Sequence, residues 1–275
     1  MTDPQQIQAP QFSNSEIIRR AEKLTKQFAK SIEPEIALLF TSFDAIYAEI
    51  IYPEFEIELR ENYDLGFDED GVKILGEYDW YENVAYIDQV INEESGDPRR
   101  SFTLWHEVGG HGVLQGDWLR KEHSRVAKNS RLVTTETSIT GQTIDVLERQ
   151  ANLFAANAGI PLWLLEHRMR EVFRPTRPFR FIGPSRYCLE VNGRCRYGDV
   201  KTFDDMCRFI AYYIKPSFGG MSTESIGYQV AKTYLVRDES STKRSSTRLR
   251  RTQRRRQPQV VGAFTDVAQA MSGSF

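Results

Sequence analysis

Residues 100–120 read RSFTLWHEVGGHGVLQGDWLR, and this stretch contains two of the four histidines of the chain. Glu107 follows His106 directly, and His111 lies five positions after the first histidine. A helix that presents His-Glu and a second His on one face is a zinc-binding device. The two imidazoles bind the metal, and the glutamate takes a proton from water as general base. We therefore expect this stretch to form a metal-binding helix.

The spacing of the two histidines is one residue longer than in the usual H-E-x-x-H pattern. Five residues advance a regular α-helix by about 500°, which would leave the two side chains about 140° apart. Gly109 and Gly110 permit a one-residue π-bulge at this point, and such a bulge would return His111 to the face of His106. The dipeptidyl peptidase III family binds zinc with an H-E-x-x-G-H spacing, although the rest of the chain does not resemble that family.

A second helical segment, TIDVLERQANLFAANAGIP at residues 143–161, supplies a third candidate ligand, Glu148. This residue lies on the face that carries an apolar stripe of Ile144, Leu147, Ala151 and Ala155. A carboxylate on a buried stripe is costly unless something pairs with it, and a metal ion is such a partner. Two histidines, one glutamate and a water form an open catalytic zinc site. Asn152, one turn further on, is expected to orient the Glu148 carboxylate.

Other interpretations of these residues stay open at this point. The two histidines could be a chance pair on a surface helix, and Glu148 could be an ordinary solvated acid that pairs with a neighbouring base. Two acidic residues serve as reserve ligands, Asp117 and Glu136. His123 is a candidate for stabilising an oxyanion by residue type alone, and no other side chain suggests itself for that role.

The remaining pattern predicts one α+β domain between two unstructured ends. Residues 1–12 form a polar lead, residues 13–237 a single metallopeptidase-like domain, and residues 238–275 a basic tail with little to bury. Within the domain, KILGEYDWYENVAYID at residues 73–88 predicts a small antiparallel hairpin, packed on the metal-binding helix among several further helices. Its second strand, at residues 84–87, is expected to offer an edge on which an extended peptide could pair.

The charge of the chain is divided unevenly. Eight Lys/Arg and one Asp give residues 241–275 a charge of +7, against −9 for residues 1–240, which together make the net −2. Such a tail could bind nucleic acid electrostatically. Basic runs are also commonly solvated ends, and the Arg-rich stretch at residues 242–256 has no aromatic side chain on which a base could stack. We therefore expect a protein partner ahead of nucleic acid.

The cellular setting follows from hydropathy and cysteine content. No apolar run approaches the roughly 20 residues that span a bilayer, and the first residues lack the features of a secretory signal, so we expect a cytoplasmic protein without a membrane partner. The three cysteines are expected to be free thiols. In a two-residue hairpin at Asn192-Gly193, Cys195 would face Glu190 and Cys188 would face Tyr197, so these two thiols would not be direct partners.

Three segments together resemble the ImmA/IrrE family of metallopeptidases. RRSFTLWHEVGGH is similar to the metal helix of that family, ERQANLFAANAGIP to its second ligand helix, and ILGEYDWYENVAYID to its hairpin, over residues 72–173. The resemblance implies zinc ligands at His106 and Glu148 and a general base at Glu107. His111 is the second histidine ligand if the extra glycine is an insertion, whereas an alignment without a gap places Gly110 there. We favour His111.

The resemblance also implies a function. We expect a zincin-like fold and a zinc-dependent metalloendopeptidase with one Zn²⁺ per chain. Well-known members of the family cleave a transcriptional repressor encoded nearby, so the implied substrate is one specific protein, such as a repressor of this kind. The alternative is a catalytically inactive metallopeptidase-like protein that acts as a partner-binding module, and the longer histidine spacing keeps that alternative open.

Overall fold

The computed structural model describes residues 9–31, 42–68, 70–93, 97–126, 141–240 and 259–260. These residues form helices and small sheets, so the prediction of an α+β fold is confirmed. The chain divides into two compact units, which are described separately. The site unit contains Met1–Pro161 and Phe218–Met221, and the C-terminal unit contains Leu162–Ser217 and Ser222–Phe275. The range 13–237, predicted as a single domain, is thus shared between the two units.

The first helix of the site unit, α1, spans Asn14–Ser31. Ser13 precedes this helix, and its hydroxyl accepts a hydrogen bond from the backbone N–H of Glu16 at 3.2 Å, which satisfies a free donor of the first turn. The buried positions recur at helical spacing and form the face that packs inward: Ile17, Ala21, Leu24, Thr25 and Phe28. In the contacts of the site unit, α1 packs against the helix Gly141–Gly159.

A second helical segment consists of three pieces in series. These are α2 (Phe43–Ile46), the π-helix π1 (Tyr47–Ile51) and α3 (Tyr52–Phe55). The segment ends at Glu56, whose φ of 52° is left-handed. The sequence of about residues 34–47 also predicts a helix, of which residues 34–41 lie outside the described residues. Phe43 meets Trp105 edge to face with ring centroids 5.0 Å apart, which places this segment against the predicted metal-binding helix.

The sheet of the site unit has three strands, β1 (Glu58–Tyr63), β2 (Gly76–Asp79) and β3 (Val84–Asp88). β2 and β3 form the predicted antiparallel hairpin, whereas β1 lies parallel to β3, so the sheet is mixed. The strand order is β1-β3-β2. The expectation that residues 84–87 offer a free edge is wrong, because β1 and β2 pair with the two sides of β3. β2 is an edge strand of this sheet.

The stretch around the two histidines lies in a continuous helical segment. This segment consists of α4 (Pro98–Leu104), the π-helix π2 (Trp105–Gln115) and α5 (Gly116–Val126). It begins at Asp97, whose carboxylate accepts a hydrogen bond from the backbone N–H of Arg99 at 2.8 Å, with proline at the first helical position. The helix α6 (Gly141–Gly159) packs along π2, and this pair of helices positions the candidate site.

The described residues of the C-terminal unit form three α-helices and two small sheets. The helices are α7 (Leu162–Phe173), α8 (Phe203–Ile214) and α9 (Thr223–Val230). The strands β4 (Phe179–Phe181) and β7 (Val236–Asp238) pair in parallel, and β5 (Ser185–Val191) and β6 (Arg194–Val200) form a hairpin. Two residues of the tail, β8 (Gln259–Val260), pair with β5, although the sequence predicts no structure there. Among the described residues, no helix is both long and apolar enough to cross a membrane.

The hairpin of β5 and β6 has the register that the sequence predicts. Both central residues of its turn have a positive φ, as a two-residue hairpin turn requires. Cys195 lies opposite Glu190 and Cys188 lies opposite Tyr197. All three cysteines of the chain are free thiols, as expected.

Candidate metal site

The two histidines meet because the helix between them is not an α-helix. The whole of π2, from Trp105 to Gln115, has π-helical hydrogen bonding, in which bonds from i to i+5 bring residues five positions apart onto one face. The Nε2 atoms of His106 and His111 therefore lie 3.1 Å apart. The predicted departure from α-helical geometry is confirmed. It is larger than a one-residue bulge, because it extends over all 11 residues of π2.

The glycine pair in π2 also sets how closely α6 can approach. A β-carbon added at Gly110 would lie 2.5 Å from Cβ and 2.6 Å from Cα of Ala151, and one added at Gly109 would lie 2.8 Å from Cε1 of Phe154. Real β-carbons essentially never come so close, so a side chain at either position would force its neighbour to shift. From the sequence alone, the glycines are explained by backbone freedom. The close packing on α6 is a second reason for them.

The carboxylate of Glu148, on α6, faces both imidazoles. Its Oε2 lies 3.1 Å from His106 Nε2, and its Oε1 lies 3.3 Å from His111 Nε2. One ligand atom from each of the three residues lies within 4.8 Å of the others, so this group could hold a metal ion. The structure thus brings together all three predicted ligands.

The exposure of Glu148 differs from the expectation of a buried carboxylate. Its side chain is 48% exposed, whereas each of the two histidine side chains is 13% exposed. The stripe residues Leu147 and Ala151 are buried as predicted. Glu148 lies at the margin of that stripe, next to the exposed Arg149. Its charge is therefore not a costly buried one, although the residue is placed as predicted.

The Nδ1 atom of each imidazole ring contacts an amide oxygen. His106 Nδ1 lies 3.1 Å from Asn152 Oδ1, and His111 Nδ1 lies 2.9 Å from Gln115 Oε1. Asn152 was expected to orient Glu148, and it contacts His106 instead. The sequence analysis did not identify Gln115. Its position four residues after His111 is a signal that could have revealed it, since side chains one helical turn apart are neighbours.

The donor set fits a cation. When both Nδ1 atoms donate their hydrogen to amide oxygens, the facing Nε2 atoms of neutral rings carry lone pairs, and the Glu148 carboxylate adds only acceptors. When the rings are protonated, the hydrogen bonds that their Nε2–H groups donate to Glu148 outweigh burial and lower the pKa of its carboxylate. Burial lowers the pKa of His111, but its hydrogen bond with Glu148 and the charge of Glu107 raise it overall. The cluster therefore attracts positive charge, which a proton or a metal ion can supply.

Glu107 lies beside this group and is buried, with 7% of its surface exposed. Its Oε1 is 4.0 Å from His106 Nε2. Burial raises the pKa of Glu107 against the opposing charges of His111 and His106. The edge strand β2 covers it closely, because a β-carbon added at Gly76 would lie 2.7 Å from Glu107 Cγ and 2.6 Å from Thr103 Cγ2. A buried carboxylate whose pKa is raised, next to a candidate metal group, suits a general base.

The remaining candidates lie apart from the cluster or outside the description. Asp117 pairs with Arg120 at 2.8 Å, and its side chain is 87% exposed, so the structure does not bring this reserve ligand to the group. The side chain of His123 and the whole of Glu136 lie outside what the structure describes. No protein-family model matches the chain, and no curated protein sequence matches it significantly.

Proposed function

We propose that the protein is a zinc-dependent metalloendopeptidase that hydrolyses a peptide bond in a specific protein substrate. One observation carries the proposal: two imidazole nitrogens and the Glu148 carboxylate converge, with the Glu107 carboxylate 4.0 Å from His106 Nε2. Three ligands and a neighbouring carboxylate are the protein parts of a hydrolytic metal centre. The resemblance of the sequence to ImmA/IrrE metallopeptidases points in the same direction.

The choice of zinc rests on the chemistry of the donors. His106 and His111 would bind the ion through Nε2, and Glu148 would bind it through its carboxylate. Imidazole nitrogens favour zinc over the oxygen-seeking ions Mg²⁺ and Ca²⁺, and His-His-Glu is a known ligand set of catalytic zinc. Asn152 and Gln115 complete the arrangement, because ligating histidines donate their second N–H to an oxygen.

The chemistry divides between the ion and the protein. A zinc ion in this ligand set supplies Lewis acidity, which polarises a carbonyl and makes water a stronger acid. Glu107 accepts a proton from the attacking water at its carboxylate and afterwards delivers it to the leaving amine. The buried position of Glu107 supports both steps. Burial raises its pKa above that of an exposed glutamate and so brings this pKa closer to the operating pH.

The alternative of an inactive binding module rested on the longer histidine spacing. That reason weakens, because π2 accommodates the extra residue and leaves the two Nε2 atoms 3.1 Å apart. For the substrate, the resemblance suggests a repressor protein in the cytoplasm.

The test is a cleavage assay with a variant that retains the ligands. We expect zinc-loaded protein to cleave members of a proteome-derived peptide library, read by mass spectrometry. Glu107→Gln should keep its zinc and lose about 100-fold to 10,000-fold in rate, because the base is removed and the ligands stay. Glu171→Gln, an exposed glutamate of α7, is the control and should cleave normally. Zinc-loaded wild type that cleaves nothing, or a Glu107→Gln variant with full activity, would refute the proposal.

A further inference from the structure

Gln115, the last residue of π2, is fully buried between the two helices that carry the candidate ligands. Its Oε1 lies 2.9 Å from His111 Nδ1, and its Nε2 donates a hydrogen bond to the backbone oxygen of Leu147 at 2.8 Å. Leu147 directly precedes Glu148 in the chain. One side chain therefore contacts the ring of one candidate ligand and the backbone next to another.

The hydrogen-bond partners of Gln115 determine which end of its amide group faces α6. A backbone oxygen can only accept, so the contact with Leu147 fixes the amide of Gln115 with Nε2 toward α6 and Oε1 toward His111. The second neighbour of this amide agrees: Gln150 Oε1 lies 3.4 Å from Gln115 Nε2, while Gln150 Nε2 donates to the backbone oxygen of Pro10 at 2.7 Å. Because each series of bonds ends on a backbone carbonyl, the orientation of both amides is determined by the fold.

This orientation decides which nitrogen of His111 carries the hydrogen. An amide oxygen cannot donate, so His111 Nδ1 must be the donor, and the neutral ring then presents a bare Nε2. That nitrogen faces His106 and Glu148. A tautomer with its hydrogen on Nε2 would leave Nδ1 and Gln115 Oε1 as two buried acceptors in contact, which is unfavourable. Opposite Nε2, the Glu148 carboxylate is half-exposed and can take its hydrogen bonds from water instead.

We infer that Gln115 is a positioning residue of the metal site. Its amide holds His111 in the tautomer with the hydrogen on Nδ1, which leaves Nε2 free for a metal ion, and it ties π2 to the backbone beside Glu148. The inference rests on the proposed function in that it assigns a role within the same site. Glutamine is suited to this position because it accepts and donates at once. Methionine can fill the space without hydrogen bonding, and glutamate accepts but cannot donate to Leu147.

The first test measures the tautomer directly in metal-free wild-type protein. Long-range ¹H–¹⁵N NMR distinguishes the two nitrogens of each of the four histidines, and a His111→Asn variant identifies the signals of that ring. We expect the neutral ring of His111 to carry its hydrogen on Nδ1. Hydrogen on Nε2, or an equal mixture of tautomers, would overturn the inference. This reading requires neither bound metal nor a folded variant of Gln115.

The second test measures zinc affinity by competition with a chromophoric chelator. Gln115→Met should bind zinc about 10-fold to 100-fold more weakly, the usual effect of losing such a supporting residue. Gln115→Glu should recover part of this loss, because its carboxylate still accepts from Nδ1. Gln229→Met, the same change at a buried glutamine of α9, is the control and should bind zinc as the wild type does.

The outcomes separate this inference from the proposed function. Gln115→Met with wild-type affinity, or an equal loss in Gln229→Met, would overturn the positioning role. A wild type that binds zinc but cleaves no peptide would refute the peptidase and leave the role of Gln115 supported by the affinities. A wild type that binds no zinc would refute the proposed function, and the tautomer measurement would still decide whether Gln115 sets the ring.

Discussion

At the scale of single residues, Asp88 shows how the sheet retains a buried charge. The residue is fully buried at the end of β3. Its carboxylate pairs with Lys73 Nζ at 2.8 Å and accepts hydrogen bonds from the backbone N–H groups of Leu65 at 2.8 Å and Val90 at 2.9 Å. Burial by itself would raise the pKa of Asp88, but the bonds from Lys73, Val90 and Leu65 outweigh it and lower the pKa overall.

We predict that Asp88→Asn destabilises the protein by about 2 kcal/mol at pH 7. Its three hydrogen bonds are strong because the acceptor is a charged carboxylate, and the substitution removes that charge. Asp64→Asn is the matched control, since Asp64 binds the same Lys73 but its side chain is 70% exposed. That variant should lose clearly less stability, because solvent screens an exposed ion pair. The free energy of unfolding in urea measures both changes. Equal losses would contradict the importance assigned to the buried bonds.

The same carboxylate gives a pH dependence with a defined sign. The folded state lowers the pKa of Asp88, so its stabilisation is complete above the unfolded value of about 4 and is lost as the pH falls through the lower folded value. The difference in unfolding free energy between wild type and Asp88→Asn should therefore shrink as the pH falls below about 4. Urea titrations across this range test it, and a difference that grows on acidification would show that the sign is wrong.

At the scale of elements, the contact of π2 with α6 predicts different effects for its two glycines. Gly110→Ala would meet the backbone of Ala151, which cannot move without shifting α6, whereas Gly109→Ala would meet the ring of Phe154, which is a side chain. We expect Gly110→Ala to lose about 1–3 kcal/mol of stability and to bind zinc more weakly than Gly109→Ala does. Thermal unfolding and chelator competition measure these effects. A larger effect in Gly109→Ala would contradict this account of the packing.

Much of the element structure could be predicted because local rules determine it. The spacing of His106 and His111 excludes a regular helix, and the apolar spacing of α1 identifies its buried face. The turn between β5 and β6 fixes the register of Cys188 and Cys195. Each of these features depends on residues close together in the sequence, so periodicity and turn chemistry are sufficient to predict it.

The features that the sequence did not reveal depend on contacts between distant segments. β1 pairs with β3 in parallel across about 26 positions of sequence, and such pairing leaves no local turn signal. The exposure of Glu148 and the contact of Gln115 with Leu147 depend on how π2 packs against α6. A helical pattern predicts which residues share a face but does not predict where that face meets its neighbour. The cluster of His106, His111 and Glu148 could therefore be predicted, whereas the hydrogen bond from Gln115 to the backbone of α6 could not.

At the scale of the whole molecule, the division into two units predicts two unfolding transitions. The candidate ligands all lie in the site unit, so a bound ion should stabilise one transition and leave the other unchanged. Zinc at 100 times its dissociation constant would add about 2.7 kcal/mol to the first. Differential scanning calorimetry with and without a chelator measures this. Two transitions that shift equally, or neither shifting in protein that contains zinc, would contradict the prediction.

The central claim is that π2 brings His111 into a metal site despite the longer spacing. Elemental mass spectrometry of purified wild type and His111→Ala, each incubated with zinc and then freed of excess, tests it most directly. We predict about one zinc per chain in the wild type and a large loss in His111→Ala, because two ligands replace three. A wild type that holds no zinc, or a His111→Ala variant that holds as much as the wild type, would contradict the claim.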